Sequence, residues 1–182
     1  MVEREIKLAF ESPGHARAAI LAIGAAPHRA RRRQDDTLYD TPAASLRDGG
    51  RVLRLRADGA HAALTLKGPV TSATMKVREE HETAVDDLDV LHRVFAELGL
   101  QPWFRYQKYR EEFSAPGVTI TVDETPVGTF VELEGAEAGI LTTAAALGRS
   151  PSDFVLDSYR TLFAARAGAH GLTGRDMVFP PS

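Results

Sequence analysis

Charged residues stand at alternate positions in segment after segment of this chain, and no other feature constrains its fold as much. The pattern starts at once: Glu3, Glu5 and Lys7 are separated by Arg4 and Ile6. In a strand, alternate residues point to one face, so two carboxylates and an ammonium would stand in a row. Arg54 and Arg56 alternate with Leu53 and Leu55, and Thr65 and Lys67 flank Leu66. Arg78, Glu80 and Glu82 share one face, as do Lys108, Arg110 and Glu112. Glu132 and Glu134 alternate with Val131 and Leu133, shortly after Asp123.

A half-buried strand usually turns its apolar face to the core and its polar face to water. One such strand would simply be a solvated face. Six of them, carrying both signs of charge opposite aliphatic faces, point to the inverse arrangement. That arrangement is a closed antiparallel barrel with a wet, charged interior and helices over its apolar outer wall. Charges gathered in a lumen must pair, bind metal or bind a charged ligand.

The rest of the chain supplies those helices. Residues 2–11 read as a strand, and Ser12-Pro13 opens a helix to about Gly24. Residues 27–40 begin with the cluster His28, Arg29, Arg31, Arg32 and Arg33, which Asp35 and Asp36 follow; this reads as a solvated strand or a tunnel entrance. Asp58-Gly59 joins strands 51–58 and 61–68 as a hairpin. Another strand covers 74–84, and a helix runs from Asp86 to Leu98, closed by Gly99. Strands follow at 103–114, 118–123 and 127–135, then a helix at 136–147. Ser150 or Ser152 would cap a last helix ending near Gly168, leaving 170–182 as a tail.

Composition narrows the function. The net charge of −3 gives no basic field, so no nucleic acid is expected as partner. The chain has no cysteine, which excludes a disulfide framework and a thiolate zinc site. No apolar run spans a bilayer and the chain opens on a charged strand, so no membrane association and a cytoplasmic location are expected. The six histidines are scattered without ligand spacing. Trp103 reads as a packing residue rather than a base-stacking platform, and Tyr159 and Arg160 either cap a tunnel mouth or pack.

The ordered set of motifs resembles the CYTH superfamily, also called triphosphate tunnel metalloenzymes. Glu3-x-Glu5-x-Lys7 is similar to its opening signature. Tyr39-Asp40-Thr41, Arg54-x-Arg56, Thr65-x-Lys67, Arg78-x-Glu80-x-Glu82, Lys108-x-Arg110, Asp123 and Glu132-x-Glu134 follow in family order. The resemblance covers about residues 2–160. It implies an α+β fold, with a closed eight-stranded antiparallel β-barrel as the tunnel and helices packed outside. The domain would run over 1–169, followed by the tail at 170–182.

The resemblance also implies roles. Lys7, Arg54, Arg56, Lys67, Arg78, Lys108 and Arg110 would grip a triphosphate, Arg in pairs of hydrogen bonds and Lys as a point charge. Glu3, Glu5, Asp123, Glu132 and Glu134 are oxygen donors suited to Mg²⁺ or Mn²⁺. Glu3, Glu5 and Lys7 would be catalytic, with Glu3 or Glu5 orienting or deprotonating water. Tyr39 would either line the tunnel near the phosphates, which the resemblance favours, or pack beneath a helix; Glu80 and Glu82 would ligate or, the favoured role, orient neighbouring Arg and Lys. The expected activity is metal-dependent hydrolysis of tripolyphosphate, thiamine triphosphate or a nucleoside triphosphate. A class IV adenylyl cyclase is the alternative, and a non-catalytic polyphosphate-binding module the third reading. The partner is a small triphosphate; whether the protein forms a homodimer is left open.

Overall fold

The computed structural model describes residues 1–180. Eight strands close a barrel: β1 (Val2–Phe10), β2 (Ala26–Asp40), β3 (Val52–Asp58), β4 (His61–Lys67), β5 (Lys76–Ala84), β6 (Gln101–Ala115), β7 (Val118–Thr125) and β8 (Gly128–Gly135). The order round the barrel is β1-β5-β4-β3-β2-β6-β7-β8, and every neighbouring pair is antiparallel. Closure falls on β1. Its first half pairs with β5, setting Glu3 against Arg78, while residues 5–10 pair with β8, setting Glu5 against Glu134 and Lys7 against Glu132.

Alternation decides what each wall faces. Ile6, Leu8, Ile120, Val122, Val131 and Leu133 turn outward into the main core. Helix α1 (Pro13–Ala22) covers them with Ala16 and Ile20, and α4 (Glu137–Ala146) with Ile140 and Ala144. Pro13 stands in the first turn of α1, and the Ser12 side chain accepts a 3.2 Å hydrogen bond from the His15 amide. Two more helices are α2 (Ser45–Asp48) and α3 (Leu88–Glu97). Asp87 caps α3, which packs Phe95 and Leu91 onto Leu53, Leu55 and Leu64.

The end of the chain departs from expectation. Ser150 caps only a 3₁₀ turn at Pro151–Asp153. The chain then adds a two-residue strand, β9 (Phe154–Val155), to the edge of β1 that β5 leaves free. The last α-helix, α5 (Tyr159–Arg166), is shorter than the sequence suggested. It is capped by Ser158, whose hydroxyl accepts from the Thr161 amide. Tyr159, Leu162 and Phe163 pack on Leu38, Phe104 and Phe130 and close one end of the barrel.

The tail is docked along its described part. The amide of Met177 donates to the Arg105 carbonyl (3.0 Å), and its carbonyl accepts from the Gln107 amide (2.8 Å). It thus uses β6 ahead of Tyr109, where pairing with β7 starts. Met177 is fully buried. Residues 181–182 of the expected tail lie outside the described residues. No helix among the described residues is long and apolar enough to cross a membrane.

Gly135 ends β8 at φ +157°, directly opposite Val118, and a side chain there would drive into the carbonyl oxygen of Gly117. Gly148, at φ +71°, has open space where a side chain would go. Gly135→Ala should therefore cost about 1–3 kcal/mol more than Gly148→Ala, since only the former adds a backbone collision to the conformational penalty. Chemical denaturation of both variants checks this; equal losses would show that the β7–β8 end relaxes freely.

Candidate functional site: a charged tunnel

The inward faces of the strands line a cavity of about 1230 Å³. Its contents divide into linked ion-pair groups. In the first, Glu3 accepts from Lys67 (2.6 Å) and Arg78 (3.0 Å), and Lys67 also meets Glu80 (2.8 Å). In the second, Lys7 lies 3.4 Å from Glu5 and 3.2 Å from Glu132, with Lys76 also 3.4 Å from Glu5. In the third, Asp123 accepts from Lys108 (2.7 Å), twice from Arg110 (2.7 and 2.6 Å) and from the Tyr159 hydroxyl (2.6 Å). Arg110 also donates to Glu132, which links the second and third groups.

On the far wall, Arg56 (2.8 Å) and Arg54 (3.3 Å) converge on Asp36, which is wholly buried. Arg54 donates to Thr65, whose hydroxyl donates to Glu82. Toward the β6–β7 hairpin, Arg32 bridges Asp58 (2.7 Å) and Glu112, and Gln34 donates to Asp58 (3.0 Å).

The electrostatics follow from burial and these partners. Burial by itself would raise the Glu5 carboxyl, but the Lys7, Lys76 and Lys67 ammoniums together override it and hold the group down at about 2. Burial would likewise depress Lys7, and Glu5 and Glu132 push it up instead. Burial opposes ionisation of Asp123 too, and Arg110 and Lys108 outweigh it, so that carboxyl stays low. Burial, then the charge of Lys7, brings Lys76 down to about 8. Burial, then Arg110, does the same to Lys108.

Glu134 behaves differently from the other carboxylates. It has no ion-pair or hydrogen-bond partner among the described residues and keeps contact with solvent inside the tunnel. Partial burial, then the Glu3 and Glu5 carboxylates, push it up to about 7. Glu5 is its direct cross-strand neighbour, and like charges so placed repel.

A family model described as CYTH domain matches residues 1–146. The chain belongs to the CYTH domain family. It is 25% identical over 135 residues to a Methanocaldococcus jannaschii protein provisionally named an adenylate cyclase, a match that covers 74% of this chain and 77% of that one. Among solved structures, a provisionally named adenylate cyclase from Vibrio parahaemolyticus superposes with a TM-score of 0.79 at 20% identity, over 90% of this chain and 98% of that one. A Hippeastrum protein, described as an adenylyl cyclase candidate with a dominant triphosphatase activity, superposes with a TM-score of 0.66 at 19% identity, over 90% and 95%.

In this CYTH domain the tunnel brings together Glu3, Glu5, Lys7, Arg54, Arg56, Lys67, Arg78, Glu80, Glu82, Lys108, Arg110, Glu132 and Glu134, and Asp123 is bound to two of them. Tyr39 is a correction. Gln34, Asp36 and Leu38 take the inward positions of β2, so Tyr39 points outward. It packs beneath α3 against Phe95, with its hydroxyl on the His92 ring. His92 is correspondingly not incidental. The expected set of five metal carboxylates is also divided: among the described residues no three carboxylates are gathered into a ready cage. Asp123, Glu132, Glu3 and Glu5 all hold cations, and Glu134 alone of the five has none among the described residues.

Sequence reasoning missed several tunnel residues. Lys76 stands two positions before Arg78 and shares its face, so simple extension of the pattern would have found it. Asp36 and Gln34 follow from the same alternation on β2. Arg32 continues that alternation, whereas Arg29 reaches the lumen through a register shift in β2, which no spacing announces. Tyr159 spans both readings of it: it packs on Phe130 and also sits beneath the ammoniums of Lys7 and Lys108, 5.1 and 5.0 Å from its ring centre.

Lys76 and Lys108 are charged below about pH 8 and lose their protons above it. Tripolyphosphate binding, measured without divalent cation, should therefore weaken as pH rises through 8 and be accompanied by proton uptake near that pH. Lys76→Arg, which stays charged, should shift that decline upward. Affinity that is flat from about pH 7 to about pH 10 would show that these ammoniums do not meet the anion.

Proposed function

We propose that this protein is a divalent-metal-dependent triphosphatase that cleaves the terminal phosphoanhydride of a triphosphate held in the barrel. The observation that carries this reading is Glu134. Of the expected acidic set it alone has no cation partner among the described residues, in a tunnel where Lys7, Lys67, Lys76, Arg78, Arg54, Arg56, Lys108 and Arg110 each hold a carboxylate. Free of a cation, Glu134 can accept a proton from water, whereas the Lys7, Lys76 and Lys67 ammoniums hold Glu5 low. We assign the role of water-activating base to Glu134 rather than to Glu3, which Lys67 and Arg78 already hold, or to Glu5.

The donor chemistry fits a metal. Glu3, Glu5 and Glu134 offer only oxygen, and their mutual repulsion marks a place where a cation relieves the field. Glu3 and Glu5 would hold it once phosphate draws Lys67, Arg78, Lys7 and Lys76 away from them. A bound Mg²⁺ or Mn²⁺ supplies neutralisation of the phosphate oxygens and lowers the pKa of water.

The chain's own residues do the rest. Lys7, Lys67, Lys76 and Arg78 hold the phosphate nearest these carboxylates; Arg54, Arg56, Lys108 and Arg110 hold the others. Each of these cations already has a carboxylate partner, so phosphate oxygens exchange with carboxylates rather than with bulk water alone. The cations remain aimed at the site where charge develops. Glu132 and Asp123 keep Arg110 and Lys108 in place, and Tyr159 fixes Asp123 from α5. Glu80 and Glu82 do the same for Lys67 and Arg54. The dominant triphosphatase activity of the Hippeastrum protein supports the reading.

The names of the Methanocaldococcus and Vibrio relatives favour a second reading, an adenylyl cyclase that forms cyclic AMP and pyrophosphate from ATP. A panel of tripolyphosphate, thiamine triphosphate and ATP with Mg²⁺ or Mn²⁺ separates the two. Orthophosphate should be released, and chelator should abolish turnover. Cyclic AMP with stoichiometric pyrophosphate would decide for the cyclase.

Glu134→Gln should lower kcat by about 10²–10⁴-fold, the usual worth of a positioned base. Tripolyphosphate affinity should hold or rise, because a negative charge has left the site. Steady-state kinetics with direct titration checks this. Full kcat in the variant would remove Glu134 from the mechanism.

A further inference from the structure

β7 leaves part of the barrel wall open. It pairs with β6 only from Tyr109 to Ala115, so residues 101–108 of β6 have β2 on one side and, among the described residues, no barrel strand on the other. The tail fills that stretch, and it lies beyond the residues that the family model matches. Met177 supplies the two backbone hydrogen bonds to β6. Around it, Asp176 accepts from the Arg105 amide (2.9 Å), the Phe179 amide donates to the Gln107 side chain (3.2 Å) and Arg175 donates to the Pro102 carbonyl (3.4 Å). The ring of Phe179 lies 5.2 Å from that of Tyr109.

Met177 is where this strap meets the lumen. It bridges Tyr106 in parallel, and residues paired across a sheet point to the same face. Tyr106 lines the tunnel, so Met177 turns to that side, and it is wholly buried. It shares one core with Tyr106, Val127, Phe130, Tyr159 and Phe163. The rings of Tyr106 and Tyr159 lie 5.7 Å apart, and Tyr159 donates to Asp123 (2.6 Å), the carboxylate that holds Lys108 and Arg110. A binding group is precise only when the layer behind it is packed, and a misplacement of about 1 Å can cost about 10²-fold. An unfilled wall would also admit water beside Lys108, two positions from Tyr106 on the same face, and weaken its pull on an anion.

We infer that Met177 is a positioning residue for the anion grip: it plugs the wall that β7 leaves open and, through Tyr106 and Tyr159, keeps Asp123, Lys108 and Arg110 aimed into the lumen. The strap is thereby a working part of the tunnel and sets how tightly it holds a triphosphate. An unbranched thioether suits the task, since it fills an irregular gap, and a leucine of similar volume should replace it. The inference rests on the reading of the tunnel as a triphosphate site and holds whichever bond is cleaved there.

The test is calorimetric titration with tripolyphosphate, without divalent cation, of the full chain as wild type, Met177→Ala, Met177→Leu, Tyr159→Phe and the double variant Met177→Ala/Tyr159→Phe. Met177→Ala should weaken affinity about tenfold, and Met177→Leu should stay within about twofold of wild type. Tyr159→Phe should weaken affinity as well, and the double variant should lose much less than the product of the two single losses, because both act on Asp123. A purely structural Met177 would lower thermal stability and leave the affinity of the folded chain unchanged. Should Met177→Ala fail to fold, Phe179→Ala frees the end of the strap with the core still filled, and should weaken affinity about threefold. The inference is overturned if the alanine variants bind like wild type, if Met177→Leu binds no better than Met177→Ala, or if the losses multiply in full; the triphosphate-site reading survives each of these. A wild type without affinity for tripolyphosphate would remove both.

Discussion

Charge desolvation governs this molecule. The barrel takes ammoniums, guanidiniums and carboxylates out of bulk water, and each such transfer costs several kcal/mol unless a partner compensates. The chain answers by spacing opposite charges two residues apart on a strand and directly across from one another. Lys7 between Glu5 and Glu132, and Asp123 between Lys108, Arg110 and Tyr159, are the clearest cases. The same arithmetic explains why an anion can enter. A polyphosphate offers the cations oxygens of the kind they already hold, so little new desolvation is asked of them.

An interior given over to charge forces the apolar residues elsewhere. The main core of this protein therefore lies between barrel and helices, with Ile6, Leu8, Ile120 and Leu133 facing Ile20 and Ile140. α5 is the exception, since it brings apolar side chains to the end of the lumen itself. There Tyr159 serves both media, with its ring among Phe130 and Tyr106 and its hydroxyl on Asp123.

Period-two alternation made the barrel and most of its lining legible, because each strand states its own inward face. Errors arose where position depends on something other than parity. Tyr39 was assigned from a local tripeptide, while counting by twos along β2 would have turned it outward. Ser150 and Ser152 are plausible caps, but β9 claims Phe154 and Val155 for a strand through pairing with β1, a long-range contact without local signature. The inward swing of Arg29 depends on irregular register in β2. The split of the acidic set was equally hidden. Only the fold shows that Asp123 and Glu132 are taken by cations while Glu134 is not.

The pairing of β1 with β5, β8 and β9 has a temporal side. The first strand of the chain can complete its contacts only when segments some seventy to one hundred and fifty residues later are present. Such non-local closure is slow, because loop entropy is spent before any contact returns it. Until then Glu3, Glu5 and Lys7 stand on an open edge, where their charge discourages pairing with other chains. Ring closure and assembly of this charged end of the tunnel are thus one event, and a partly folded chain has no preformed lumen.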